Sequence, residues 1–184
     1  KQIISSCWPA VSEPDPQDPT QQSFVADAII ANPPPFGHIH VAEALAIPLH
    51  MMFPQPWFYG TREFPHPMAG LSYETRGGMN FNSYAAFESL SWSSFAMHIN
   101  RWRKKVLGIP IIRAGSYGST AVSRSAVPFS AMWSAAFVPK PPDWPEQVRV
   151  VGAFTTKQAA TDELPFDESP YANLLAWLAK GPTP

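Results

Sequence analysis

Two stretches of this 184-residue sequence carry side chains of types and spacings that could do chemistry. In His38-Ile39-His40, followed by Glu43, three groups able to ligate a metal or move a proton fall within about one and a half helical turns. Residues two apart do not share a helix face. His38 and His40 could therefore meet on one ion only if the helix began after them, and no metal site is expected. These residues read as structural histidines, or else place His38 at a helix N-terminus beside a cleft, where open α/β sheets hold their ligands. The second stretch is the loop Phe53-Pro54-Gln55-Pro56-Trp57-Phe58-Tyr59-Gly60-Thr61-Arg62-Glu63-Phe64-Pro65-His66-Pro67, with rigid prolines, five aromatic rings and the polar groups Thr61, Arg62 and His66. Such a loop can wall an apolar pocket while its few polar groups orient a ligand. It can equally be a long loop held in place by its own small core, and residue chemistry supports both readings.

Other patterns point away from familiar chemistries. There is no G-x-G-x-x-G, P-loop, G-x-S-x-G or H-E-x-x-H pattern. Cys7 reads as a buried filler rather than a nucleophile. Being the one cysteine, it excludes an internal disulfide framework and fits a reducing, cytoplasmic compartment. Arg101, Arg103, Lys104 and Lys105 read as a solvated helix end, with a lipid-headgroup or partner role as the lesser reading. The formal net charge of −1, from 13 basic and 14 acidic residues, gives no general field for nucleic acid or an anionic membrane surface. No apolar run approaches the roughly 18–20 residues of a membrane span, and residues 1–9 lack the pattern of a signal peptide. The chain does not open on Met, which suggests a piece of something longer. Proline is abundant, 22 residues, but seven tryptophans and 45% apolar residues argue for a packed core rather than disorder.

Elements that could position these groups follow from the pattern. Residues 14–22 form a polar, proline-rich connector. Residues 24–31 and 49–53 are short continuous apolar runs, of the kind covered on both faces in a parallel sheet. Between them, residues 36–46 carry Ile39, Ala42 and Leu45 at helical spacing and stop at Pro48, which completes a βαβ unit. Residues 54–79 show no period and form a long loop. Residues 82–107 give the strongest helix, with Phe95, Ile99, Trp102 and Val106 lining one face and Gly108 and Pro110 ending it. Residues 113–125 read as loop, 129–133 and 148–154 as further strands, and 155–168 as a polar linker. A last helix opens on Ser169 and Pro170, carries Tyr171, Leu174, Leu175 and Leu178 on one stripe, and ends at Gly181. Strands alternating with helices predict an α/β fold with a mainly parallel sheet.

Several of these stretches together resemble the fungal sterol 3-β-glucosyltransferases and their UDP-sugar-dependent relatives. They are residues 24–34, the run His38-Ile39-His40-Val41-Ala42-Glu43-Ala44-Leu45-Ala46-Ile47-Pro48, Met51-Met52-Phe53, and Pro56-Trp57 with Thr61-Arg62-Glu63-Phe64-Pro65-His66-Pro67. Asn100-Arg101-Trp102-Arg103 to Gly108, Trp133-Ser134, residues 138–145 and residues 151–154 continue it. The Pro-Trp…Thr-Arg-x-aromatic-Pro-His segment is the most specific, and here it carries one residue more between Trp57 and Thr61.

The resemblance implies a two-domain GT-B architecture. A Rossmann-like N-terminal half would take the acceptor and a C-terminal half UDP-glucose, the co-substrate, with no further cofactor. It implies inverting, metal-independent transfer, in which a base takes the proton of a sterol 3-hydroxyl and a helix N-terminus steadies the departing diphosphate. It further implies a partial acceptor domain over residues 1–154, a linker over 155–168, and an interdomain helix and junction over 169–184. The acceptor contacts would be Met52, Phe53, Trp57, Phe58, Arg62, Phe64 and His66, with the tryptophan and phenylalanines as wall and His66 or Arg62 as polar edge. The family's Gly-Ser-Arg-Gly-Asp-type turn and His-Gly-Gly turn are not among these residues. On that pattern the chain is not expected to catalyse transfer by itself and would work with a nucleotide-sugar domain on a sterol or other lipid alcohol. Peripheral membrane contact fits such an acceptor. The alternative is a stand-alone module that binds an apolar ligand or a partner without transfer chemistry.

Overall fold

A computed structural model describes residues 1–22, 24, 26–72, 74, 77–113, 126–154 and 169–181. Four strands, β1 (Ile29–Ala31), β2 (Leu49–Phe53), β3 (Phe129–Ala131) and β4 (Val148–Val150), form one sheet in the order β1-β2-β3-β4. All three pairings are parallel, with Ile29 opposite Leu49, Met51 opposite Phe129, and Phe129 opposite Val148. The parallel α/β reading holds. β2 coincides with its predicted range, whereas β1 covers only the end of the predicted run. Ile30 is 72% exposed, so β1 is an edge strand with an open side rather than one covered on both faces. Central β3 is buried at all three positions.

The helices are α1 (Gln2–Ser6), α2 (Pro9–Ser12), α3 (His38–Leu45) and α4 (Gly78–Trp102), the last continuing into a π-helical turn, Arg103–Leu107. The two N-terminal helices were not anticipated, because neither is long enough to show a period. Ile4 of α1 is nonetheless buried with Val41, Ile99, Trp102 and Leu107 in one of two apolar clusters. α1 comes so close to the start of α3 that a Cβ on Gly37 would stand 2.7 Å from the Cys7 sulfur. Cys7 donates to the Ile3 carbonyl, and burial pushes its thiol pKa up, away from a reactive thiolate, in keeping with a filler. The other cluster gathers Met51, Phe129, Ala131 and Val148 of the sheet with Trp57, Phe58, Tyr59, Trp133 and Trp144.

The π-turn corrects the predicted helix face. A wider turn inserts one residue, so the inward position after Trp102 falls five residues on, at Leu107, and Val106 is 51% exposed. Gly108 then closes the helix at φ 68°, a left-handed conformation that glycine adopts without steric cost. The basic group at this end is not uniformly solvated either. Arg103 is buried, and its guanidinium holds the Glu43 carboxylate in two bonds of 2.7 and 2.9 Å, His40 Nδ1 at 2.9 Å and the Pro110 carbonyl at 2.8 Å.

The chain divides into Lys1–Ala153 and Phe154–Pro184. The first unit holds the sheet and both clusters. In the second, Ser169–Tyr171 is a 3₁₀ turn leading into α5 (Ala172–Leu178). The predicted linker, residues 155–168, and most of the 113–125 loop lie outside the described residues.

Candidate functional site

The long loop leaves the carboxyl end of β2 and is fastened at many points. Thr61 Oγ1 donates to one Asp143 carboxylate oxygen at 2.7 Å, and the Arg62 amide donates to the other at 2.8 Å. The Arg62 carbonyl accepts from the Asn80 side chain and the Gly77 amide, which ties the loop to the start of α4. Trp144 Nε1–H donates to the Tyr59 carbonyl at 2.9 Å, and the Tyr59 hydroxyl donates to the Val127 carbonyl at 2.6 Å. The His66 amide donates to Ser83 Oγ.

The rings between these anchors pack as a mini-core. Trp57 meets Phe53, Phe87 and His66 edge-on at centroid distances of 5.3, 5.2 and 4.9 Å, while His66 stacks on Phe87 at 3.9 Å. His66 Nδ1 accepts the Met68 amide, which places the neutral ring's proton on Nε2. Burial pushes the His66 pKa down to about 4, so the ring is neutral at pH 7.

Beside this mini-core, at the carboxyl ends of β2 and β3, opens an apolar cavity of about 370 Å³. Pro54, Pro56, Phe64, Trp133, Phe137 and Val138 are among its walls. A wider cleft of about 610 Å³ lies at the amino ends of the same strands, along Glu43, Pro48, Leu49 and Pro128. The carboxyl end is where parallel sheets present loops to ligands, and its cavity is the more uniformly apolar, so it is the candidate site.

The seven residues named from sequence are not assembled as one wall. Phe64 lines the cavity, edge-on to Trp144 at 6.0 Å. Trp57, Phe58 and His66 are buried behind it, within the packing that holds the loop. Phe53 is half-buried against Trp57, Met52 is half-buried on β2 opposite Ser130, and Arg62 is exposed away from the cavity walls. Sequence reasoning passed over Trp133, Phe137 and Val138. Their signal was positional: they follow the carboxyl end of β3, beside the loop that leaves β2.

Three further buried groups shape the electrostatics. His38 and His40, on the first turn of α3, are pushed down to about 4 and about 3 by burial, and for His40 also by the Arg103 charge and then His38. Their sequence spacing argued against a shared metal, and His40 and Glu43 face Arg103. Glu88 was missed. It is the one acidic residue in α4 and is 8% exposed, and burial raises its pKa to about 8.

No protein-family model matches the chain. Curated relatives do. A sterol 3-beta-glucosyltransferase of Arabidopsis thaliana is 43% identical over the whole chain, which covers 27% of that protein. A second one from the same plant is 40% identical, again over the whole chain and 28% of its own length. A sterol 3-beta-glucosyltransferase of the fungus Leptosphaeria maculans is 36% identical over 77% of the chain and 9% of its own length. Over its whole length the chain is homologous to sterol 3-beta-glucosyltransferases. It spans a little over a quarter of the length of these plant relatives. The plant relatives match at higher identity than the fungal one. Among the described residues, no helix is long and apolar enough to cross a membrane.

Proposed function

We propose that this chain is the acceptor-binding part of a UDP-glucose-dependent sterol glucosyltransferase, and that the cavity at the carboxyl ends of β2 and β3 receives the apolar body of a sterol or similar lipid alcohol. The observation that carries this reading is the cavity itself: about 370 Å³, walled by prolines, Phe64, Trp133 and Val138, in a chain homologous to sterol 3-beta-glucosyltransferases. A sterol is a rigid hydrocarbon with one hydroxyl. Rigid apolar walls suit it, because little side-chain freedom is lost when they are covered. The loop's own mini-core and the Asp143 clamp hold Phe64 in place before any ligand arrives, which lowers the ordering cost further.

In this reading the chain binds and orients the acceptor and excludes water from its hydrocarbon face. Glucose transfer from UDP-glucose to the hydroxyl belongs to the whole enzyme, and none of the residues described above is assigned as the base. Of the seven residues named from sequence, Phe64 contacts the acceptor directly. Trp57, Phe58 and His66 act by holding the loop that carries it.

The test is a titration with a fluorescent sterol, comparing wild type with Phe64→Ala and Val138→Ser. Losing one ring from the wall removes burial of about 1.5–3 kcal/mol, so Phe64→Ala should weaken binding about tenfold or more. Val138→Ser should weaken it by a smaller factor. Unchanged affinity in both variants, with native circular dichroism, would exclude this cavity as the acceptor site.

A further inference from the structure

The basic end of α4 is left over from the acceptor reading. Between Glu88 and Asp143 the sequence contains no acidic residue, yet seven of the chain's 13 basic residues lie there. Arg103 is consumed by Glu43. Arg101, Lys104, Lys105 and Arg113 are exposed, and none of their side chains has a hydrogen bond or ion pair among the described residues. One or two cations suffice to complement the negative end of a helix, and four leave a net positive patch.

The same surface is unusually apolar. Leu90, Met97 and Arg101 follow one another at spacings of seven and four, which puts them along one face of α4 over about 16 Å, and Lys104 and Lys105 follow in the π-turn. Met97 is 87% exposed and Leu90 69%, and Val106 and Ile111 are about half exposed beside the lysines. Before Arg101, the exposed face of α4 carries no charged residue. Ala86, Ser89, Ser93 and Ser94 fill it between the large side chains.

We infer that this face docks on an anionic lipid bilayer, with Arg101, Lys104, Lys105 and Arg113 at the headgroups and Met97, Val106 and Ile111 entering the interface. Charge complementarity selects the partner. A positive patch with no acidic residue in its stretch of sequence seeks a negative surface, and exposed apolar side chains among the cations gain from a lipid interface what a phosphate backbone cannot offer them. The lysines and arginines can lay their hydrocarbon stems in the interface while their charges stay at headgroup level. The inference rests on charge and exposure, and it stands whether or not the cavity binds a sterol.

The experiment is co-sedimentation of the purified protein with phosphatidylcholine vesicles, with and without about one-third phosphatidylserine. Binding is expected only to the anionic vesicles, and should weaken as ionic strength rises from about 0.01 to 0.15 M. Each cation near the surface contributes about a fivefold factor, so Lys104→Ser/Lys105→Ser should bind about 25-fold more weakly. Lys104→Arg/Lys105→Arg should bind as wild type. Met97→Ser should reduce vesicle binding while leaving any binding to duplex DNA unmoved. Equal binding to both kinds of vesicle, or anionic-vesicle binding unaffected by Lys104→Ser/Lys105→Ser in a variant with native circular dichroism, overturns the inference. So does duplex DNA binding that outcompetes vesicles and ignores Met97→Ser, which would make this a nucleic-acid surface.

Discussion

Trp57 shows how a residue's type and its place can pull apart. As a tryptophan in a proline-rich loop it reads as a pocket wall that could be removed without harm to the fold. Its ring instead lies among Phe53, His66 and Phe87 in the main apolar cluster. Trp57→Ala should therefore cost about 3–5 kcal/mol of stability, visible as a lower urea midpoint, with any loss of sterol binding following from loss of structure. Glu88 makes the opposite prediction. Its folded pKa of about 8 lies above the ordinary 4.5, so the folded state keeps a proton that the unfolded chain has released. Stability is lost on this account as pH rises from 4.5 through 8. Glu88→Gln should be neutral below pH 4.5 and stabilise increasingly above it, by about 1–3 kcal/mol at pH 7 in urea titrations across that range.

At the scale of elements, one ion pair joins α3 to the turn after α4. Arg103 is 2% exposed while Glu43 is 42% exposed, so the two partners are not equivalent when removed. Arg103→Met leaves a carboxylate that water can still solvate. Glu43→Gln leaves a buried guanidinium without its counter-charge and should be the worse change, by roughly 2–4 kcal/mol against wild type, below the full value for a wholly buried pair. The double variant should recover part of that loss, and a double-mutant cycle by urea denaturation measures the coupling. Equal costs for the two single variants would mean that Arg103 finds other compensation. Arg103, four residues after the buried Ile99, keeps the inward face, and the π-turn that follows carries Val106 outward where a regular helix would place it on the apolar face.

For the whole molecule, three buried histidines and one buried acid set the pH dependence. His38, His66 and His40 have folded pKa values of about 4, about 4 and about 3, below the ordinary 6.5. The unfolded chain therefore binds more protons, and the stability they support is present above pH 6.5 and lost as pH falls toward those values. Each contributes a slope of up to about 1.4 kcal/mol per pH unit, and between pH 4.5 and 6.5 Glu88 opposes them with a slope of the same size. Three against one leaves a net loss of roughly 2–3 kcal/mol per unit of acidification near pH 5. Urea midpoints measured from pH 4.5 to 8 should rise steeply to about pH 6.5 and then level or decline. A flat profile through pH 5 would show that these imidazoles are not held neutral in the folded protein.

The parallel sheet and the βαβ unit were readable because they rest on local chemistry: apolar runs of strand length, helical spacing in residues 36–46, and prolines that forbid continuation. The family could be recognised for a related reason, since the Thr61–Pro67 segment is contiguous and specific. Which residues of the loop face a ligand was not readable. In Trp57, Phe58 and Phe64 the sequence offers equivalent rings, and only long-range packing, such as that of Trp57 on Phe87 of α4 and of Phe64 on Trp144 before β4, decides that the first two are buried and the third lines a cavity. Long-range packing also turned Arg103 from a solvated charge into a buried one, through a carboxylate 60 residues away. A residue's own chemistry sets which environments it tolerates, and the chain folded around it selects among them.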